Sequence, residues 1–179
     1  VFVEGVVTGS GQYGAYIQDP AGGPNSAVLV YMGSGWEDVY GPITRGDVLQ
    51  AVGTVDEYND MTEVNLTIAS APYAAVTGTA SVPDAQVLTM DLFAGDVESW
   101  ESVLVRIESV EVVTEPNVYN EWVVADQATG TYTVAIDDYL HFYSGELSAG
   151  TTFSSITGPL HYSYGSYKIV PYADEACAP

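Results

Sequence analysis

The chain has very few positive charges. Its 179 residues contain three Lys or Arg (Arg45, Arg106 and Lys168) against 24 Asp or Glu, which gives a formal net charge of -21. A protein that binds nucleic acid needs clustered Lys and Arg to displace the counterions of the phosphates. The same shortage disfavours binding to an anionic membrane surface. We therefore expect no nucleic-acid partner.

Long apolar runs and cysteine pairs are also missing. No segment approaches the roughly 18–20 consecutive apolar residues that span a bilayer, so the sequence predicts no membrane span. Cys177 is the single cysteine and cannot form an internal disulfide. Either it is a thiol without a role, or it lies in an exposed tail and forms an intermolecular disulfide in an oxidising compartment.

Familiar catalytic motifs are absent as well. The chain has no Gly-x-Ser-x-Gly, no His-Glu-x-x-His and no phosphate-binding loop. His161 falls in an alternating strand pattern, which favours a structural role. The acidic pairs Asp56-Glu57 and Asp137-Asp138 consist of adjacent residues, which point to opposite faces of a strand and cannot cooperate as acid and base there. We expect that the protein is not an enzyme.

What the chain does contain is tyrosine, glycine and an internal duplication. The 14 tyrosines and 18 glycines favour strands and turns over helices. Each half has a strand, an acidic turn, a second strand, a long connection and a hairpin led by glycine. Gly53 follows Asp19 by 34 residues, and Gly158 follows Asp126 by 32. A repeated order at matched spacing predicts two similar domains.

The predicted fold is all-β, with two tandem five-stranded OB-like Greek-key barrels. Asn59-Asp60 and Tyr164-Gly165 are the expected hairpin tips. Barrel 1 covers residues 1–72, a small and polar linker covers 73–88, and barrel 2 with a preceding helix covers 89–176. We expect residues 74–81 of the linker to cross between the barrels without joining either core. The apolar spacing over residues 91–100 predicts that short helix, which would plug the base of the second barrel.

Several segments resemble the OB-fold domains appended to secreted bacterial nucleases and surface proteins. They are residues 14–20, 46–48 and 53–59 in the first half, and 104–107, the Trp122 strand, 137–139 and 158–169 in the second. The resemblance covers most of the chain and implies an OB fold and an extracellular or cell-surface location. It implies no activity, because the catalytic centre of those proteins belongs to a separate domain.

Acidic residues beside turns are candidate calcium ligands. Asp19 and Asp126 each follow a strand and precede a glycine turn, where backbone carbonyls can join a carboxylate. Glu57, Asp137 and Asp138 add further oxygen ligands of the kind that Ca²⁺ prefers. The alternative is that the acidity keeps the protein soluble in a harsh or salty medium. Calcium is the one cofactor that the sequence suggests.

Two other features point to contacts at the surface. Tyr162, Tyr164 and Tyr167 surround the second hairpin, and their acidic flanks favour a protein or glycan partner over nucleobases. Alternatively, these rings cover half-buried sheet faces. Asn65-Leu66-Thr67 matches an N-glycosylation sequon, which makes Asn65 a candidate acceptor of a glycoprotein.

We interpret the chain as a non-catalytic extracellular module that acts through protein contacts, as a self-assembling surface or filament subunit or as a spacer, with calcium stabilising it. The strand that opens the chain and the barrel edges would pair between copies or with another extracellular protein. The alternatives are an accessory domain of a secreted nuclease or other hydrolase, and a carbohydrate-binding module.

Overall fold

The segments rich in valine, threonine and tyrosine form strands, as their composition predicts. The computed structural model describes residues 1–95 and 97–179. Within these residues the strands form two sheets of seven strands each. One sheet lies in residues 2–79 and the other in residues 86–178. The prediction of an all-β chain is confirmed.

The first sheet has the strand order β5-β6-β3-β2-β1-β4-β7. Its strands are β1 (Phe2–Gly11), β2 (Gly14–Gln18), β3 (Ala27–Tyr31), β4 (Asp47–Val52), β5 (Thr54–Tyr58), β6 (Met61–Asn65) and β7 (Tyr73–Thr79). β3 and β6 run parallel, and the other neighbours run antiparallel. The connection from β3 to β4 contains the short helix α1 (Glu37–Tyr40).

The second sheet has the order β14-β12-β13-β11-β10-β9-β8. Its strands are β8 (Gln86–Val87), β9 (Leu104–Thr114), β10 (Trp122–Asp126), β11 (Thr133–Ile136), β12 (Thr152–Ser163), β13 (Ser166–Ile169) and β14 (Cys177–Ala178). β11 and β13 run parallel. Because β12 also pairs with β9, the series β9-β10-β11-β13-β12 returns to its first strand.

The first sheet repeats this pairing with one strand interrupted. β4 pairs with β1 and β5 pairs with β6, and only Gly53 separates β4 from β5. In the second sheet the uninterrupted β12 makes both sets of contacts, to β9 and then to β13. A Cβ atom at Gly53 would lie 3.0 Å from the carbonyl oxygen of Asn65, and a Cβ atom at Gly158 would collide with the carbonyl oxygen of Val170. The duplicated strand order is confirmed.

Both hairpin tips lie where the sequence predicts. Asn59 and Asp60 have φ values of 50° and 65°, and Tyr164 and Gly165 have 52° and 86°. Two consecutive residues with positive φ between antiparallel strands match the right-handed twist of the strands that they join.

The predicted linker of residues 73–88 contains two strands. β7 pairs with β4 over most of its length, and Ala74 is buried in the first core. The expectation that this segment joins neither core is therefore wrong. The side chains of β7 are mostly small and show no clear apolar alternation. Its strand conformation therefore depends on pairing with the neighbouring β4.

The predicted helix over residues 91–100 is instead two short 3₁₀ helices, Met90–Ala94 and Glu98–Trp100. Gly95 ends the first one, since glycine is about 1 kcal/mol less favourable than alanine inside a helix. Asp96 lies outside the described residues. The segment does pack on the second core, to which Val97 and the ring of Trp100 contribute.

The first strand is not a free edge. β1 lies between β2 and β4 and pairs with both. The expectation that the opening strand is available for pairing between copies is therefore wrong. No helix among the described residues is long and apolar enough to cross a membrane.

A third apolar cluster joins the two halves. Tyr16, Leu29 and Met61 of the first half pack there against Val170 of the second. The hydroxyl of Tyr16 and Nδ1 of His161 share a buried hydrogen bond of 2.7 Å. Burial, together with the charge of Lys168, lowers the pKa of His161 to about 4, so the imidazole is neutral at physiological pH.

Candidate functional site

The five predicted calcium ligands do not converge on one point. No group of three or more His, Cys, Asp or Glu side chains within residues 1–95 and 97–179 is arranged to hold a metal ion. Each candidate carboxylate has instead a local contact, and these contacts explain why acidic residues stand at those positions. Calcium binding stays a prediction.

Asp19 directly follows β2, and Asp126 is the last residue of β10. Oδ1 of Asp19 accepts a hydrogen bond from the backbone N–H of Ala21 at 2.7 Å. The carboxylate of Asp126 accepts from the N–H groups of Thr129 and Tyr132 at 2.8 and 3.0 Å. These bonds lower the pKa of Asp126, that from Tyr132 most of all. Both carboxylates thus stabilise the turn that follows their strand.

Glu57 lies beside the junction between the halves. Its Oε1 accepts from the hydroxyl of Thr62 at 2.8 Å, while Oε1 of Glu101 accepts from the N–H of Thr62 at 2.9 Å. Burial raises the pKa of Glu101 to about 7, and the charge of Glu57 contributes to the rise. Two carboxylates from different halves therefore meet around one residue.

Asp137 belongs to a buried ion-pair cluster centred on Lys168. The Lys168 side chain is 3% exposed, and its Nζ contacts Oε1 of Glu121 and lies 3.2 Å from Oδ2 of Asp137. Burial raises the pKa of Asp137 despite the lysine, whereas the hydrogen bond from Lys168 lowers that of Glu121. Glu121 is therefore the main anionic partner. Asp138 lies next to this cluster and accepts from Nδ2 of Asn120 at 2.9 Å.

Asn65 of the predicted glycosylation sequon is 6% exposed. Its Nδ2 donates to Oε1 of Glu63 at 2.9 Å, and its Oδ1 accepts from the N–H and hydroxyl of Thr67 at 2.9 and 2.7 Å. A glycan on Nδ2 would displace the contact with Glu63 and would need space at a buried position. The folded chain therefore does not present Asn65 as an accessible acceptor.

The three predicted contact tyrosines divide into a pair and a single ring. The rings of Tyr162 and Tyr167 are half-buried and pack with centroids 4.7 Å apart. Tyr164 is 97% exposed at the hairpin tip, and Nζ of Lys168 lies 5.5 Å from its ring centroid. Only Tyr164 of the three is fully presented to solvent.

Cys177 is not in an exposed tail. It pairs with Ile156 through β14 and is 2% exposed within the second core. Burial raises the pKa of its thiol to about 12. The prediction of an exposed thiol that bridges two chains is therefore wrong, because the strand pairing of the last residues turns the side chain inward.

A cleft that the sequence did not predict lies between the connection from β9 to β10 and the connection from β11 to β12. It encloses about 370 Å³ and is lined by Glu115, Pro116, Phe142, Tyr143, Ser144, Gly145, Leu147 and Ser148. The ring of Phe142 is 57% exposed there. The one sequence signal was the adjacent pair Phe142-Tyr143 within a loop of small and polar residues.

Asp174 fixes one wall of this cleft. Its Oδ1 lies 2.7 Å from Nε2 of His141 and accepts from the N–H of Ser144 at 3.0 Å, while its Oδ2 accepts from the Ser144 hydroxyl. These bonds, led by that of the Ser144 hydroxyl, lower the pKa of Asp174 to about 2. The ring of Tyr143 packs edge-on against Phe153 of the core, with centroids 5.6 Å apart.

The three polar residues of this wall do not form a nucleophilic triad. In such a triad the serine hydroxyl bonds to the imidazole, and the carboxylate orients the other side of the ring. Here the hydroxyl of Ser144 and the imidazole of His141 both bond to Asp174. The arrangement holds the loop in place.

A family model described as a domain of unknown function (DUF8508) matches residues 65–178, which is more than half of the chain. The chain belongs to this family. The match to DUF8508 begins at the last residue of β6 and includes β7, the whole second sheet and the cleft. A comparison with curated proteins gives no match.

Proposed function

We propose that this DUF8508 chain is a non-catalytic, extracellular module of two OB-type barrels that acts through protein contacts, as a self-assembling surface or filament subunit or as a spacer. The strand pairings support the barrels. Each half has five such strands if β4 and β5 are counted as one. In each half the first strand pairs with the second, the second with the third, the third with the fifth, the fifth with the fourth, and the fourth with the first. The third and fifth strands run parallel. Five strands that close on themselves in this way are what a five-stranded OB barrel requires.

The observation that carries the proposal is the free edge of β7. This seven-residue strand pairs with β4 on one side and with no other described strand. Its residues include no charge and no proline, two of the devices that prevent pairing at an edge. The other long free edge, β5, carries Asp56 and Glu57. A bulge at Thr77 leaves residues 73–76 as the regular part of the β7 edge.

Exposed apolar side chains lead up to this edge. In the register of the first sheet Phe2 lies opposite Val52, and Val52 lies opposite Tyr73 of β7. Phe2 is 60% exposed and Tyr73 is 45% exposed, so this row presents apolar surface across three strands. Val76 of β7 is 40% exposed. A second copy that adds a strand to β7 would bury this surface as well as pair the backbone.

Charge sets the conditions for such assembly. Copies with a net charge of -21 repel one another, and salt screens this repulsion over a Debye length of roughly 8–10 Å at 0.1–0.15 M. Divalent cations would reduce the repulsion further. We therefore propose that assembly depends on calcium or on high salt, as in a saline extracellular medium.

The contacts between the two halves support a rigid unit, whether the protein is a surface or filament subunit or a spacer. The N–H of Leu104 donates to the buried Oε1 of Gln18 at 2.9 Å. Together with the shared bond between Tyr16 and His161, this contact crosses a buried surface. A spacer with fixed geometry needs such a junction, since small interfaces between domains otherwise permit relative motion.

Electron microscopy and sedimentation velocity of the purified protein, with Ca²⁺ and with chelator, test the proposal. We expect oligomers or filaments with Ca²⁺. Val76→Lys places a charge on the β7 edge and should leave only monomers. Val113→Lys is the matched control, because Val113 is also an exposed strand valine, at 46%, but lies on β9 of the second sheet.

Strictly monomeric wild-type particles in both conditions would refute self-assembly. Equal assembly by wild type and Val76→Lys would show that the β7 edge is not the interface.

A further inference from the structure

We propose that the cleft beside Phe142 binds a lysine or arginine side chain of a basic protein partner. This inference rests on the proposed function in so far as it names a protein partner, but it concerns a surface on the other half of the chain. It assigns that surface a chemical class of ligand, a cation carried by a polypeptide.

The shape of the cleft suits a side chain. Its volume of about 370 Å³ falls at the lower end of the range of ligand pockets, roughly 300–1,000 Å³. Phe142 presents an exposed ring at the cleft, and Pro116 and Tyr143 supply further apolar surface. Such walls pack against the aliphatic part of a lysine or arginine, while an exposed ring face attracts the charged end.

The electrostatics select a cation. Glu115 is the one charged residue among those that line the cleft. Glu146 accepts from the hydroxyl of the lining residue Ser148 at 3.0 Å, and Asp174 binds the lining residue Ser144. Three carboxylates thus lie in or directly behind the walls. An anionic ligand would be repelled, whereas a guanidinium or ammonium group would find both a carboxylate and a ring.

None of the three Lys and Arg side chains is a lining residue of this cleft. Lys168 is buried with Glu121 and Asp137. The guanidinium of Arg45 lies 4.0 Å from the ring centroid of Tyr172, and Nε of Arg106 donates to Thr157 at 3.1 Å. A basic partner would therefore meet carboxylates that have no Lys or Arg partner among the described ion pairs, and this negative charge also steers its approach.

The cleft is held in shape before any ligand arrives. Asp174 holds Ser144 on one side, and the N–H of Ala149 donates to Oε1 of Glu115 at 3.3 Å on the other. Leu147 packs on the second core beneath the cleft. A preformed site loses less entropy on binding, because its loop needs no further ordering.

Fluorescence anisotropy with a labelled peptide of four Arg-Gly repeats tests the inference, at protein concentrations where sedimentation shows a monomer. The comparison probes are the same peptide with Gln in place of Arg, and maltohexaose as an unlabelled competitor. We expect saturable binding of the Arg peptide that weakens as salt rises, no binding of the Gln peptide, and no competition by maltohexaose.

Two variants localise the site. Phe142→Ala should weaken binding about threefold to tenfold, as expected for the loss of a partly desolvated cation–π contact. Glu115→Gln keeps the oxygen that Ala149 uses and removes the charge, and it should also weaken binding. Its control is Glu108→Gln, which makes the same change of net charge at an exposed position of β9. Circular dichroism shows whether each variant is folded.

Equal losses in Glu115→Gln and Glu108→Gln would overturn the inference, because the attraction would then belong to the whole surface. Competition by maltohexaose, or equal binding of both peptides, would also overturn it. Val76→Lys separates this result from the proposed self-assembly: it should bind the Arg peptide like wild type. Failure of assembly with retained peptide binding would count against the β7 interface alone.

Discussion

The two hairpins bury opposite charges at the same position. Glu63 stands three residues after the Asn59-Asp60 tip, and Lys168 stands three residues after the Tyr164-Gly165 tip. Glu63 lies in β6, opposite Leu29 of the parallel strand β3. Lys168 lies in β13, opposite Ala135 of the parallel strand β11. Glu63 is 3% exposed and Lys168 is 2% exposed. The backbone is thus repeated while the charge is reversed.

The surroundings of the two charges differ in kind. Burial lowers the pKa of Lys168, but its bonds to Glu121 and the nearby Asp137 outweigh this effect and raise it overall. Burial raises the pKa of Glu63 to about 7; the bond from Asn65 opposes the rise and the charge of Asp56 adds to it. The lysine is therefore a fixed charge, whereas the glutamate titrates near neutral pH. The same backbone position is a structural ion pair in one half and a titrating group in the other.

Removal of the lysine charge should have the largest effect. Lys168→Met leaves Glu121 and Asp137 together without a cation, and breaking a buried ion pair in this way typically costs about 3–5 kcal/mol of unfolding free energy. Urea denaturation at pH 7 measures the loss. The double variant Lys168→Met with Glu121→Gln should recover much of it, because the uncompensated carboxylate is then removed. A single variant as stable as wild type would show that the cluster contributes nothing.

Neutralising the glutamate should have a smaller, pH-dependent effect of the opposite sign. The pKa of Glu63 is higher in the folded state than its ordinary value of 4.5, so its contribution to stability is complete below that value and is lost as pH rises through about 7. Glu63→Gln should therefore be more stable than wild type at pH 8, by on the order of 2 kcal/mol.

At pH 5 wild type and Glu63→Gln should have nearly the same unfolding free energy. Glu101, whose pKa is also about 7, is present in both proteins and cancels from their difference. A difference that stays constant from pH 5 to pH 8 would contradict the assignment of the titration to Glu63.

Calcium should stabilise the protein most where Asp and Glu side chains have no Lys or Arg partner. Asp56, Glu57 and Glu63 of the first hairpin have no Lys or Arg partner among the described ion pairs. At the affinity typical of extracellular modules, with Kd of about 10⁻⁴ to 10⁻³ M, 1 mM Ca²⁺ should add roughly 0.4–1.4 kcal/mol of stability. Coincident melting curves in Ca²⁺ and in chelator, at matched ionic strength, would exclude this effect. Glu57→Gln should reduce it if the first hairpin is responsible.

Substitutions at the two hairpin tips should change the unfolding free energy least. Tyr164 holds a positive φ of 52° that a bulky side chain rarely adopts, whereas Asn59 has 50° and belongs to a residue type that tolerates it. Tyr164→Asn should add about 0.5 kcal/mol, because Asn-Gly is the preferred pair for this turn. The reciprocal Asn59→Tyr should remove a similar amount. Thermal melts in the same buffer compare the two variants, and changes of equal sign would contradict the shared turn geometry.

Local patterns were sufficient to predict the repeated features. The alternation of β-branched and aromatic residues predicts strands, and turn residues such as Asn59-Asp60 and Tyr164-Gly165 place the tips. Asp19 and Asp126 mark the same turn in each half, because an aspartate carboxylate bonds to backbone N–H groups a few residues ahead. Each of these signals acts within about six residues, so the sequence carries it directly.

The candidate cleft depended on contacts that no local pattern contains. Its wall is fixed by Asp174, which binds Ser144 from 30 residues away, and its floor packs on the second core. A helix was expected over residues 91–100 from apolar spacing alone, but Gly95 and the packing of the segment on the second core favour two short turns.

By itself the sequence determined an all-β chain, its duplication and its excess of acid, because strand periodicity, turn chemistry and net charge are properties of neighbouring residues or of simple sums. Only the tertiary structure decided which residues are accessible. It buries Cys177 beside Ile156, exposes the edge of β7, and pairs Lys168 with Glu121 across 47 residues. Such outcomes depend on the pairing of distant strands, where burial and partner choice are set by the whole fold and not by the segment.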